Sequence, residues 1–178
     1  MSLSELSALW SLCFGDTKET AAEFLSIPDV KTLVEYSDGV PVAMASLVPV
    51  ATELGQKGEY VYGVCVHPAF RGKGLFRTLM NRCEREAIKN GAEFLCLIPE
   101  QESLFVAYKK MGYAVEINTA AHVFADSIGI VTLSEQFKSF AIPEGETGRE
   151  LKYGLLKPVR AFETQNKKFS FLYHMGEC

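Results

Sequence analysis

Residues 59–76 read Glu-Tyr-Val-Tyr-Gly-Val-Cys-Val-His-Pro-Ala-Phe-Arg-Gly-Lys-Gly-Leu-Phe. The alternating apolar run from Tyr60 to Val66 predicts a strand, which stops at His67-Pro68. A short glycine-rich turn, Arg71-Gly72-Lys73-Gly74, then opens directly onto a helical pattern. A strand that ends in such a turn at a helix N-terminus is a ready-made anion site. The first N–H groups of the helix lack partners within it, and the macrodipole adds partial positive charge. Glycines let the backbone approach a phosphate closely, and Arg71 and Lys73 add charge, so this stretch predicts a phosphorylated ligand.

Spacing narrows the ligand. A P-loop would need Gly at His67 and Ser or Thr after Lys73, where Gly74 stands. The dinucleotide fingerprint would need Gly at Arg77. What fits is Arg-x-x-Gly-x-x at 71–76 after Val66-His67-Pro68, which resembles the acetyl-CoA pyrophosphate loop of the GNAT superfamily of N-acyltransferases, Gln/Arg-x-x-Gly-x-Gly/Ala. Phe76 departs from the small residue usual at the last position, and the ring either crowds the pyrophosphate or turns inward and packs. Further on, Glu93 to Ile98 reads as a short buried strand ended by Pro99. Gln101 to Tyr113 follows and resembles the family's Asn-x-x-Ala-x-x-x-Tyr-x-x-x-Gly-Phe, with Tyr108, Gly112 and Tyr113 in register and Gln101 and Leu104 replacing Asn and Ala. The likeness extends over roughly residues 30–118, and Leu-Trp-x-x-Cys-Phe-Gly-Asp at 9–16 is similar to the opening of bacterial Eis-like acetyltransferases.

The resemblance implies an α/β (α+β) architecture: a mixed, mostly antiparallel central sheet flanked by helices. A splay between the strands at 60–66 and 93–98 would form an acetyl-CoA slot. It implies that backbone atoms of Val64, Cys65 and Val66 meet pantetheine, and that Arg71, Gly72, Lys73, Gly74, Leu75 and Phe76 hold the pyrophosphate. The implied activity is transfer of an acetyl group from acetyl-CoA, as co-substrate, to a primary amine of a small molecule or peptide in a ternary complex. The alternative is a catalytically silent CoA-binding regulatory or interaction module. Tyr108 is the implied acid for the departing thiolate, which has a conjugate pKa of ~8.5 and needs only modest help. The base stays open. Many relatives carry Glu where Tyr62 and Gly63 stand here, and the candidates are Glu59, Glu100, Glu102, water or the C-terminal carboxylate of Cys178.

Composition agrees with one enzyme domain over 1–178, acting as monomer or homodimer. Net charge is −4 without a long basic run, so no nucleic-acid or membrane surface is expected. The cysteines at 13, 65, 83, 96 and 178 form no C-x-x-C pair and read as reduced thiols of a cytoplasmic protein. Cys65 reads as a buried inert thiol rather than an acyl-enzyme nucleophile. His67, His122 and His174 lack metal-ligand spacing, and no metal is expected. The start, residues 1–15, lacks a basic n-region and does not read as a targeting signal.

Elsewhere, residues 4–13 and 17–25 predict helices, the second capped by Thr17. Residues 31–36 and 40–50 predict strands joined at Ser37-Asp38-Gly39. The helix after the glycine turn carries Leu75, Phe76, Leu79, Met80, Cys83, Ala87 and Ile88 on one face and ends at Asn90-Gly91. A strand is expected from Tyr113 to Phe124 and another from Glu150 to Leu156; 126–148 is ambiguous, with a loop at 143–148. The family's initial strand has no counterpart ahead of the first helix, so the sheet is expected to be one strand short at an edge unless the tail supplies a substitute.

Overall fold

A computed structural model describes residues 2–52, 55–99, 101–118, 127–133, 153–160 and 168–171. The contacts fall into two compact units, residues 1–48 with 61–86, and residues 49–60 with 87–178.

The first unit opens with α1 (Leu3–Phe14), which Gly15 ends at φ 84° by donating its N–H to Ser11 O at 3.0 Å. α2 (Lys18–Leu25) starts at Thr17, whose side chain accepts from Thr20 N, the cap expected from its position. β1 (Lys31–Ser37) and β2 (Val40–Thr52) pair antiparallel across a two-residue turn. Asp38 (φ 50°) and Gly39 (φ 80°) are both left-handed there, as a type I′ hairpin requires. With β3 (Lys57–Val66) the order is β1-β2-β3, so β1 is the edge here and no strand precedes it among the described residues. α3 (Leu75–Lys89) buries Leu79, Met80 and Cys83, the stripe expected from sequence. Its exposed side reaches β1: Arg82 Nη1 donates to Val34 O at 2.8 Å and to Glu35 Oε1 at 2.6 Å.

The aromatic centre of this unit joins α1, α2 and β3. The Trp10 ring lies 5.0 Å from Phe24 and 5.9 Å from Tyr62, centroid to centroid, and its indole N–H donates to Asp16 Oδ2 at 2.7 Å. Beneath it, Gly63 sits inside β3 at φ 60°, and a Cβ there would lie 2.5 Å from Trp10 Cζ3. Gly63 is thus required twice, by backbone conformation and by space.

In the second unit the start of β3 pairs parallel with β4 (Phe94–Leu97), from Gly58↔Phe94 to Tyr60↔Cys96. β4 is buried throughout, and β7 (Tyr153–Pro158) lies antiparallel between it and β5 (Val115–Asn118). β8 (Lys168–Phe171) then runs parallel to β5 and to β6 (Ser127–Leu133), and β6 pairs antiparallel with the end of β2. The strand expected from Tyr113 is β5, which begins at Val115; its expected continuation from 119 to Phe124 lies outside the described residues, as does the loop at 143–148. The strand expected over 150–156 is met by β7, which runs on to Pro158, with 150–152 outside the described residues; β6 and β8 are additions that the sequence left unassigned. The C-terminus of α3 closes as expected: Gly91 (φ 85°) donates to Ile88 O at 3.1 Å, and Ala92 N donates to Ala87 O at 2.9 Å. That hydrogen-bond pair is a Schellman motif.

Gly63→Ala should cost about 3 kcal/mol, combining left-handed strain with overpacking against an indole. Gly91→Ala, where a Cβ meets nothing within 4 Å, carries only the strain and should cost about 1 kcal/mol. Urea unfolding of both variants checks this; equal losses would mean that the Trp10 contact does not constrain position 63.

Candidate active site

The site is built where β3 runs out. His67 N donates to Val42 O at 2.8 Å, the last tie to β2, and the His67 ring nitrogen Nδ1 accepts from Ala69 N at 3.2 Å. A single 3-10 turn, Pro68–Phe70, follows. Arg71 is folded back over it, with Nε donating to Val66 O at 3.2 Å. Gly72 (φ 77°) and Gly74 (φ 81°) are both left-handed, and a Cβ on either would meet nothing within 4 Å. Both conditions suit close approach of a ligand to the backbone. Gly74 O accepts Thr78 N at 3.1 Å and so begins α3, whose first turn carries no acidic residue. Arg71, Lys73 and Arg77 are exposed around this turn, and Lys73 Nζ stands 4.6 Å from the Phe70 ring centre. Fifteen residues of aligned peptide dipoles end here among three cations, an arrangement that attracts phosphate oxygens.

The first unit thus brings together the two predicted cofactor segments, Val64–Val66 and Arg71–Phe76. Cys65 is buried, while Val64, Val66 and Phe76 are half-buried. Tyr62 and Gly63, the positions at which the resemblance implies a Glu, belong instead to the aromatic centre.

Tyr108 belongs to the second unit. It is buried at the end of α4 (Glu102–Lys109), 5.8 Å edge-on from Tyr113. Its carbonyl accepts the N–H groups of Met111 (2.9 Å) and Tyr113 (3.2 Å), and Gly112 turns the chain at φ 92°. The Tyr-x-x-x-Gly-Tyr spacing is therefore a helix-ending device as well as a candidate site. Glu59, near the start of β3, is buried, and its Oε1 accepts from Asn90 Nδ2 at 3.0 Å, which gives the carboxylate a structural use. Glu100, the side chain of Glu102, Cys178, His122 and His174 lie outside the described residues. Among the described residues no cluster of three or more His, Cys, Asp or Glu could hold a metal ion, and no helix is long and apolar enough to cross a membrane.

A model of the Acetyltransferase (GNAT) family matches residues 3–113, more than half of the chain. The chain belongs to the GNAT acetyltransferase family. It is 37% identical over 62 residues to the uncharacterised N-acetyltransferase YdgE of Bacillus subtilis (strain 168), a stretch spanning 34% of this chain and 40% of that relative. Among solved structures, the GNAT family N-acetyltransferase YhbS of Escherichia coli in complex with CoA aligns with TM-score 0.62 and 15% identity, covering 100% of this chain and 91% of that one. A probable N-acyltransferase from Enterococcus faecalis V583 aligns with TM-score 0.55 and 17% identity over 66% of this chain but only 30% of its own. At these identities the structural likeness is one of fold.

Beside the glycine turn the chain carries a thiol, Cys13, whose setting the sequence did not show. Cys13, at the end of α1, is half-buried with Sγ 3.7 Å from Val66 O, the carbonyl that also accepts from Arg71. Its thiol is pulled down to about 7, first because the Cys65 thiol donates to it, then through attraction and hydrogen bonding from Arg71, with burial opposing. Cys65 is pushed up by the same hydrogen bond and by burial. Burial also pushes Cys83 up to about 12 and raises Cys96 well above its ordinary value. The only sequence signal was Trp10 and Cys13 three residues apart, which places both toward one helix face.

Alkylation by iodoacetamide follows thiolate, so modification of Cys13 should rise with pH through a midpoint near 7. Arg71→Gln removes the attraction and should move that midpoint upward. Peptide-resolved rates check it; a wild-type midpoint at the ordinary ~8.5 would contradict the assigned environment.

Proposed function

We propose that this chain transfers an acetyl group from acetyl-CoA to a primary amine of a small molecule or peptide, by direct attack within a ternary complex. The observation that carries the reading is the left-handed pair Gly72 and Gly74, open on the side a Cβ would fill, at the start of α3. Backbone N–H groups of Arg71 to Phe76 hold the pyrophosphate, with Arg71 and Lys73 supplying charge. Backbone atoms of Val64, Cys65 and Val66 align the pantetheine amides. The half-buried Phe76 ring leaves the two glycines as the open part of the turn. The family match runs through residues of both units, which supports reading the whole chain as one acetyltransferase domain.

In this reading the neutral amine attacks the thioester carbonyl carbon, the C–S bond breaks, and Tyr108 gives the departing sulfur its proton. The amine, with a pKa near ~10, must first lose a proton. Glu59 is held by Asn90, so that proton leaves through water or a carboxylate beyond the described residues. Filling of positions 62 and 63 by the Trp10 cluster favours keeping the second reading, a CoA-binding module without turnover. Thiol release from acetyl-CoA across a panel of polyamines, aminoglycosides and peptide N-termini separates the two. Release with any amine supports transfer, whereas binding without release supports the silent module.

Acetyl-CoA at a hundredfold excess over Kd should stabilise the protein by ~2.7 kcal/mol, and ATP or NADH at equal concentration should do much less. Gly74→Asp should abolish that gain, and Gly74→Asn should lose less of it, since both tolerate the left-handed backbone and both fill the open space but only Asp adds charge. A melting scan without a shift for acetyl-CoA or CoA would overturn the cofactor reading.

Tyr108→Phe keeps the edge contact with Tyr113 and removes only the proton donor. Turnover should fall by ~10², the low end for a general acid, because thiolate departs readily. The loss should sit in kcat and leave acetyl-CoA affinity intact; unchanged kcat would assign Tyr108 to packing.

A further inference from the structure

The last turn of α1, Ser11-Leu12-Cys13-Phe14, lies against the end of β3 and has no part in the chemistry above. The Cys13 thiol donates to Val66 O at 3.7 Å, and nearly one turn earlier Trp10 fills the space over Gly63. These two contacts bracket Val64 to Val66, the segment assigned to pantetheine. The facing stretches carry no formal charge: Ser11 to Phe14 on α1 and Val61 to Val66 on β3 hold neither an acidic nor a basic side chain. The carboxylates nearest to them along the chain are engaged elsewhere, Asp16 by the Trp10 indole and Glu59 by Asn90. Leu6, Leu9 and Trp10 are buried, whereas Leu12 is 54% exposed and Phe14 36%. Phe14 and the half-buried Tyr62 both pack on the Trp10 indole, at 4.8 and 5.9 Å between centroids, and both keep surface in water. An apolar residue exposed alone is ordinary. Two rings left part-open around one indole, beside the pantetheine segment, offer a surface to an apolar ligand.

We propose that the acceptor is a primary amine carried on an aliphatic or aromatic body, and that this body packs on Phe14 and Tyr62 while the nitrogen reaches the thioester. The proposal rests on the acetyl-transfer reading above and names its substrate class. A polyamine or aminoglycoside would bring several charges to a wall without a carboxylate to pair them, and burying an unpaired charge is costly. An apolar body meets no such cost and gains by displacing water from the rings. The same setting helps the step for which no base is assigned, because an apolar surround disfavours the ammonium form and releases its proton to solvent. The neutral nitrogen then attacks the carbonyl carbon. A C–N bond replaces the C–S bond, and one N–H proton of the amine is matched by the proton that ends on the CoA sulfur.

Trp10 is the only tryptophan of the chain, and its contacts with both rings make its emission the readout. The intact chain with CoA bound is titrated with n-alkylamines from ethylamine to hexylamine, with phenethylamine and with spermidine. The alkylamines and phenethylamine should give saturable changes in emission, with Kd falling about threefold per added methylene; spermidine should give none. Thiol release from acetyl-CoA with the same amines should follow the same order in kcat/KM. Phe14→Ser should flatten the series and Phe14→Leu, which keeps an apolar side chain, should preserve it. The melting shift with acetyl-CoA reports that each variant folds, and the wild-type series decides the matter if one does not. Emission changes that follow chain length without thiol release would keep the apolar surface as a ligand site and count against acetyl transfer. Release that favours spermidine or an aminoglycoside over hexylamine would overturn the proposal and leave acetyl transfer in place. A Kd indifferent to chain length, or no saturable change with any amine, would overturn it as well.

Discussion

The contact between Trp10 and Gly63 is the constraint on which the first unit turns. An indole buried to 2% exposure occupies the space where any side chain at 63 would stand. β3 must therefore carry a glycine there, and that glycine takes a left-handed conformation in mid-strand. Asp16 fixes the indole from its N–H, and Phe24 and Tyr62 enclose the ring. Helix α1 and the second half of β3 are thereby ordered together, and Val64 to Val66 follow directly from the constrained position. The contact also explains why no carboxylate occupies positions 62 and 63, where an acidic residue would face an aromatic cluster rather than water.

Downstream of that anchor, the glycine turn works by local electrostatics. The chain as a whole carries −4, yet Arg71, Lys73 and Arg77 surround the start of a 15-residue helix whose first turn lacks acidic residues. At physiological salt, charges farther than a Debye length of ~8 Å are largely screened, so the near cations and the helix terminus set the field at the turn. Arg71 contributes twice, since its Nε also closes the turn onto Val66 O. This double use couples the charge of the turn to the end of β3 and to the neighbouring Cys13 thiol.

Much of this was legible where the deciding forces are local. Thr17 caps α2, Asp38-Gly39 makes the hairpin, and Gly91 ends α3, each through hydrogen bonds within a few residues. The glycine turn was legible for the same reason: strand, left-handed glycines and helix start are contiguous. Long-range pairings were not. That β7 enters between β4 and β5, and that β8 bridges β5 and β6, depends on partners distant in sequence. The Trp10–Gly63 contact and the approach of Cys13 Sγ to Val66 O each join residues about fifty apart, and no periodicity records them. Glu59 was read as a possible base, and its hydrogen bond from Asn90 could not be seen along a strand.

The central claim is that the backbone of the turn at 71–76 receives the pyrophosphate of CoA. Titration of uniformly ¹⁵N-labelled protein with CoA, followed by amide chemical shifts, tests it without reference to any acceptor. The account predicts saturable shifts largest at the amides of Gly72, Gly74, Leu75 and Phe76, with smaller ones over Val64 to Val66. Saturable binding that leaves the amides of 71–76 unmoved, or no binding of CoA, would contradict it.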